Sequence, residues 1–446
     1  VALSSLRPLR SRNFALMWSA ALVSNIGSWM QTVALGVVVT ARTHDPLWTG
    51  LVAAAAFVPM GLLAPVGGAV ADRLDRRRWL IVTTIGEAGF AVVLAVLAAA
   101  RVGPGPMVAV AFLGGAAAAV GFPAYQAMLP DLVPRDELLA AVSLSSAQFN
   151  LGRVVGPALA GIVLVLGSAP WAFAVNAASF AAVVVALVLL RLPARHVAEG
   201  PGEPVLARIA AGARVAFAEP GCRSAIILIA VVALVGSPFI ALVPAVAFEG
   251  LHLHQHAAAG TSALVTGQGV GAVLGALVLA SLARALGRRR LLVRALVAFP
   301  LALVVYGAAP SIVPATVAIV VVGACYIGVL TGLNTVVQLR APVAARARVL
   351  SLYMMALGTI YPIGAVAEGA LARTVGIRTV TIGAGVVLLA VMSGLLRLRP
   401  DVAASLDDPA APGGIGDTRA TGAVAIEAGD TPSATGAAAV APEPGP

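Results

Sequence analysis

Apolar residues occur along this chain in twelve long blocks, near 14–40, 47–71, 79–101, 106–128, 141–166 and 169–191, then 223–248, 260–283, 291–309, 314–338, 349–372 and 379–397. A helix needs about 20 apolar residues to cross roughly 30 Å of hydrocarbon, and every block is at or near that length. None shows the strict in-out alternation of a ten-residue barrel strand; alanine, leucine and valine dominate instead. Twelve transmembrane helices are therefore expected, and the fold class is an all-α membrane protein. The first block is too long, and flanked too much like a true span, to be a cleavable leader, so it is expected to stay as an anchor. After Pro400 the apolar pattern stops: the remainder carries seven acidic residues and one arginine, and a disordered cytoplasmic tail is expected there.

Composition agrees with the pattern. Of 446 residues 60% are apolar and only 11% charged, with a mean hydropathy of +0.98, against a charged fraction of about 25% in soluble globules. The net charge of +10 comes entirely from arginine, since no lysine is present. Those arginines cluster in alternate loops: Arg7, Arg10 and Arg12 before the first block, Arg73, Arg76, Arg77 and Arg78 after the second, Arg284, Arg288, Arg289 and Arg290 after the eighth, Arg340, Arg346 and Arg348 after the tenth. The other side holds Arg42, Arg101, Arg373 and Arg378. The positive-inside rule then places both termini and the middle loop in the cytoplasm of a multi-pass protein. Because the basic clusters are flanked by spans, no nucleic-acid partner is expected. Cys222 and Cys325 fit no bridge or metal spacing, and no metal site is expected. His252, His254 and His256 form an HLHQH run that reads as solvated loop, with a weak surface metal site as the lesser alternative.

The twelve blocks divide into an N-terminal six-helix half over 1–191, a cytoplasmic linker over 192–222, a C-terminal six-helix half over 223–399 and the tail over 400–446. Val205 to Phe217 in the linker is expected to form a short surface helix. The halves echo one another: Gly156 and Pro157 align with Tyr361 and Pro362, and the arginine-rich turn after the second block recurs after the eighth.

Two motifs carry a resemblance. The run GAVADRLDRRR at 68–78 matches the pattern G-x3-D-R-x-G-R-R, with Asp75 where the pattern has glycine. In the fifth block, Ser143 followed by Gly152, Arg153, Gly156, Pro157, Ala160 and Gly161 resembles G-x8-G-x3-G-P-x2-G-G, with Ser143 and Ala160 in place of two glycines. The first is the signature loop between helices two and three of major facilitator superfamily transporters; the second is that superfamily's antiporter motif. Residues 123–161, with the opening LRPLRSRNFALMWSAALVSNIGSWMQTVALGVVV, look like the subgroup containing the enterobactin exporter and the macrolide-efflux proteins. The resemblance implies two six-helix pseudo-symmetric halves, substrate bound between them near the midplane, and Gly68, Asp72, Arg73 and Arg76 as a conformational latch on the cytoplasmic side. Gly152, Gly156 and Gly161 would let the fifth helix approach a neighbour from the other half, with Pro157 removing a backbone donor.

Charges left inside the hydrocarbon are few: Glu87, Arg153 and Glu368. Each would cost at least about 2.5–3.5 kcal/mol facing lipid, so each is expected to face protein or water. Glu87 and Glu368 are candidate proton-coupling carboxylates. Arg153 is a candidate partner to Glu87, an anion-binding group or an organiser of the seam between halves. The resemblance further implies Asn25, Gln31, Tyr125, Gln126, Tyr326 and Asn334 as cavity-lining residues, in a lining otherwise apolar enough for an amphipathic substrate.

No Walker motif, nucleophile elbow or metal-ligand helix occurs, so the chain is not expected to be an enzyme, and no cofactor beyond a proton gradient is expected. The expectation is a monomeric exporter in a bacterial plasma membrane, moving a hydrophobic or amphipathic small molecule, such as a drug, against protons. A dedicated exporter of a siderophore or other secondary metabolite, and a lipid flippase, are the alternatives.

Overall fold

The computed structural model describes residues 6–166, 168–190, 205–343 and 345–407. The first half is built from α1 (Arg12–Thr43), α2 (Pro46–Arg73), α3 (Arg76–Ala99), α4 (Pro104–Met128), α5 (Leu138–Leu166) and α6 (Ala169–Leu189). The linker contributes α7 (Val205–Ala218), a helix in the segment where one was expected, packed on α13 and α8. The seventh span, Pro220–Gly250, is not one regular helix. It consists of α8 (Pro220–Val231) and α9 (Phe239–Ala245), each followed by a π-helical stretch, Val232–Gly236 and Val246–Gly250. The last spans are α10 (Ala257–Leu286), α11 (Arg288–Ala308), α12 (Ile312–Arg340), α13 (Arg346–Val375) and α14 (Ile377–Leu398). Twelve helices among the described residues are long and apolar enough to cross a membrane.

Each helix end has a local cause. Asp45 caps α2 by accepting from the Leu47 amide at 3.0 Å, with Pro46 in the first turn where its missing N–H is harmless. Asp75 caps α3 through the Arg78 amide at 2.7 Å, at φ −61°. The position where the signature has glycine therefore needs no left-handed backbone here. Its counterpart in the second half, Gly287, does: φ there is 81°, a region that glycine enters without penalty.

The same packing scheme recurs in both halves. Helix α2 lies on α4 and α3 on α6 in the first; α10 lies on α12 and α11 on α14 in the second. Glycines on α10 let the backbones approach: a Cβ on Gly275 would come within 2.8 Å of the Ala324 backbone, and Gly267 and Gly271 face α12 in the same way. The halves join along two seams, α2 against α13 and α5 against α10. On the first, Gly369 faces Pro46 and Leu47, and Phe57 packs edge-on against Tyr361 with ring centroids 5.4 Å apart. On the second, Gly161 faces Ser262 and Gly269 faces Arg153 and Val154. These contacts run from midspan to one end of the molecule. Toward the other end α4 and α12 make no extensive contact among the described residues, and Gln126 and Gln338 are exposed.

The tail departs from expectation at its start. Pro400–Ser405 form a short helix, α15, that packs back on α8. Val402 and Leu406, four residues apart, supply the apolar face, and Ser405 Oγ donates to Ser224 Oγ at 2.8 Å. Residues 408–446 lie outside the described residues, so the rest of the expected disordered tail does too.

Candidate functional site

The polar centre of the molecule is built on α5. Small residues there admit α1: a Cβ on Gly152 would sit 3.0 Å from Asn25 Cβ, and one on Gly156 would sit 2.6 Å from Trp29 Cβ. Only Gly161 of the three motif glycines faces the other half, at Ser262. The motif does lie against the opposite half, through the α5–α10 seam at Gly161, while Gly152 and Gly156 serve packing on α1 within the first half. Pro157 is buried inside α5.

Between Gly152 and Gly156 the helix presents Arg153. Its Nη2 donates to Gln268 Oε1 on α10 at 3.1 Å, a bond that crosses between the halves. Its guanidinium carbon stands 5.7 Å from the Trp29 ring centroid, and that ring meets Phe149 edge-on at 6.0 Å. Gln268 is 3% exposed, and its Nε2 has no hydrogen-bond partner among the described residues. The expected pairing of Arg153 with Glu87 is not formed. Glu87 lies on the packed side of α3, in register with buried Thr84 and Ala91, and has no ion-pair or hydrogen-bond partner among the described residues. Glu368 is half-buried on α13, next to Gly369, which contacts α2.

The expected cavity residues fall in different places. Asn25 sits at the α1–α5 contact and Gln126 is exposed on α4. Asn334 accepts from Gln338 one turn along α12. Gln31 is half-buried on α1 and accepts from Asn176 Nδ2 of α6 at 2.9 Å, a bond inside the first half. Tyr125 packs with a buried cluster of the first half that includes Leu129, Ala141 and Leu187. Tyr326 is 4% exposed, hydrogen-bonded to Ser237 at 2.9 Å and packed on Phe239 and Phe299; in this state it is a core residue of the second half.

The signature loop stays within the first half. Arg76 Nη1 donates to the Ala127 carbonyl at 2.9 Å at the end of α4 and lies 3.9 Å from Asp131; Arg77 reaches the Val188 carbonyl of α6 at 2.7 Å. Gly68 faces Pro123 on α4, and Arg73 is exposed. Asp72 closes α2, and its side chain lies outside the described residues.

Sequence reasoning missed the opposite end. There Arg373 on α13 grips Asp45 in a bidentate pair, Nε at 2.9 Å from both oxygens with Nη2 closing on Oδ2, and His44 Nδ1 lies 3.2 Å from Glu249 Oε1. Both contacts join residues more than 200 positions apart across the halves. They surround a charged pocket of about 540 Å³ that Arg378 also lines. A second, apolar groove of about 740 Å³ follows the α5–α10 seam past Gly161, Ser262 and Thr266. The clamp joins the acid that caps α2 to a base in the last turn of α13, two ends that the packing of α2 on α13 brings together. Among the described residues no cluster of three or more His, Cys, Asp or Glu is placed to hold a metal.

Comparisons with known proteins place the chain. A family model described as transmembrane secretion effector matches residues 3–411. The multidrug efflux pump Tap of Mycolicibacterium fortuitum is 27% identical over 376 residues, covering 81% of this chain and 90% of the relative. The enterobactin exporter EntS of Escherichia coli is 28% identical over 409 residues, covering 88% and 95%. Among solved structures, a bacterial homologue of the human lysosomal transporter Spinster, in an inward-facing and unoccupied conformation, superposes with a TM-score of 0.66 at 15% identity, covering 90% of this chain and 97% of that one.

Proposed function

The chain belongs to the transmembrane secretion effectors of the major facilitator superfamily, and from that premise we propose that it exports an amphipathic small molecule from a bacterial cell in exchange for protons. The observation that carries the reading is the asymmetry of the seam. The halves are tied at the Asp45–Arg373 end and part toward the end bearing the arginine clusters. The positive-inside rule puts the arginine-rich end in the cytoplasm, so the cavity loads from inside. Export then requires the outer ties to break and the inner ends to meet, a rocking of one half on the other.

Glu87 and Glu368 are carboxylates without charge partners among the described residues, one in each half. Each can be neutral in one state and ionised in the other as water reaches it, which is the requirement for moving a proton with each cycle. Asp72 and Arg73 stand at the end that must close, where a new contact of about 1–3 kcal/mol suffices to shift the populations. The likeness to EntS over nearly the whole chain supports a second reading, a dedicated exporter of a siderophore-like product.

The test is proton movement in inverted vesicles under an imposed pH gradient, with macrolides, lipophilic dyes and catecholate siderophores added in turn. Substrate-dependent proton release that is lost in Asp72→Asn supports antiport and names the ligand class. Release that persists unchanged in Glu87→Gln removes that residue from the coupling role, and transport without any proton movement removes antiport.

A further inference from the structure

The exporter reading leaves open what the seam between the halves recognises. We propose that Arg153 and Gln268 form an anion-recognition site at the seam between the halves, and that the exported molecule carries a carboxylate, phenolate or sulfonate on an aromatic body. The proposal rests on that reading for the purpose of the cavity, but the site can be measured independently of transport.

A guanidinium offers five N–H donors and no acceptor. Only Nη2 of Arg153 has a protein partner among the described residues, Gln268 Oε1 at 3.1 Å. Its Nε and Nη1 are not among the nitrogens sealed from the surface without a partner, so they remain open to whatever enters the seam. Gln268 adds a second donor beside the first: its Oε1 is taken by Arg153, and its Nε2 is buried with no acceptor. A buried donor left unmade is costly. The pair therefore presents N–H groups without a matching acceptor, the complement of an oxyanion.

Charge accounting points the same way. No carboxylate forms an ion pair with Arg153 among the described residues; the nearest candidates by depth, Glu87 and Glu368, are on the packed side of α3 and on α13. A cation in the midplane without a counter-charge is expensive unless a ligand supplies one. The surroundings give the body of that ligand: Trp29 covers the guanidinium and Phe149 abuts Trp29 edge-on. A cation-exporting cavity would need the opposite arrangement. The membrane potential, negative inside, favours outward movement of an anion by about 2.3 kcal/mol per charge at 100 mV.

The experiment compares two probes of one skeleton and opposite sign, a naphthalene sulfonate and a naphthyl trimethylammonium, binding to the full chain in detergent by titration calorimetry. The expected result is about ten- to hundred-fold tighter binding of the sulfonate, the worth of a charged hydrogen bond. Arg153→Gln should bring the two probes to parity, and Arg153→Lys should keep most of the preference. Gln268→Glu supplies the missing anion from within and should also abolish it, in a protein that melts no lower than the wild type. Equal affinity for both probes in the wild type overturns the proposal, as does a sign preference that survives Gln268→Glu. If the Arg153 contact were only a tie between halves, Gln268→Ala would match Arg153→Gln; on this proposal it loses one donor, so the sulfonate preference falls but persists through Arg153. A chain that binds both probes equally and still exports substrate against protons refutes the anion site and leaves the exporter reading standing.

Discussion

Neutralising Asp45 is expected to loosen the closed end of the transporter. The carboxylate serves two partners there, the Arg373 guanidinium across the seam and the Leu47 amide at 3.0 Å within α2. Asp45→Asn keeps an oxygen for the cap and removes the charge, so it isolates the contact between halves from the helix end. The pair is bidentate, yet the Arg373 side chain is 51% exposed. Solvent screening therefore holds its worth near the upper limit for surface pairs, about 1 kcal/mol. That corresponds to roughly a fivefold change in the ratio of open to closed states at this end. The His44–Glu249 contact remains, so the change is a shift in population and not a collapse. Spin labels at exposed Ala41 and Val375, in a chain with both cysteines replaced, report the separation by electron–electron double resonance in nanodiscs. The longer distance should gain about fivefold in weight in Asp45→Asn. Arg373→Gln should do the same, and the double variant no more. Raising ionic strength should reproduce part of the effect in the wild type. Strictly additive single effects, or distance distributions that ignore both substitutions, would refute the clamp.

Three other outcomes follow from the packing. Gly275→Ala should lower the melting temperature through about 1–3 kcal/mol of overpacking, because the added Cβ meets the Ala324 backbone at 2.8 Å and a backbone cannot yield as a side chain would; an unchanged melt would mean that α10 and α12 separate freely. Tyr326→Phe removes the 2.9 Å bond to Ser237 and should cost about 1 kcal/mol in denaturation, since Ser237 keeps its bond to the Val232 carbonyl. At the linker, burial pushes the Glu219 carboxyl up, but the Cys222 and Gly221 amides and Arg340 outweigh it and hold the group below its usual 4.5. A depressed folded value means its stabilisation is full above pH 4.5 and fades as the pH falls through that lower value. The melting difference between wild type and Glu219→Gln should therefore be constant near neutrality and vanish in acid; a difference that grows in acid would contradict the assignment.

Much of the fold was legible because bilayer physics is coarse. A run of apolar residues long enough to span fixes a helix without reference to its neighbours, and the clustering of arginines in alternate loops orders the spans. What was not legible depends on helix rotation and on contacts distant in sequence. Gln31 looked like a cavity residue because it is polar and in the first span; which side of α1 it occupies is set by Gly27 nestling against Asn176 and Ser179, and that follows from tertiary packing. Asp45 and Arg373 are 328 positions apart, and no local rule joins them. The breaks in the seventh span were partly signalled by Ser237 and Pro238 within an apolar run, but a π-helical stretch has no composition of its own. Arg153 was singled out as a buried charge, whereas its partner Gln268 carried no signal until α5 and α10 were seen side by side.

The junction beneath the second half has a consequence for how the chain is made. Arg340 at the end of α12 binds Glu219 at 2.7 Å and the Asp407 carbonyl at 3.2 Å, and Ser405 reaches Ser224. One arginine thus ties the segment entering this half to the segment leaving it. During synthesis Glu219 is inserted early and must wait for some 190 further residues before Asp407 emerges from the ribosome. At the usual rate of about 5–20 residues per second, the first span of this half is held without its final fastening for on the order of ten seconds or more. The half is fastened by α15, the last described helix, and a nascent chain stalled anywhere before Ser405 would lack that fastening.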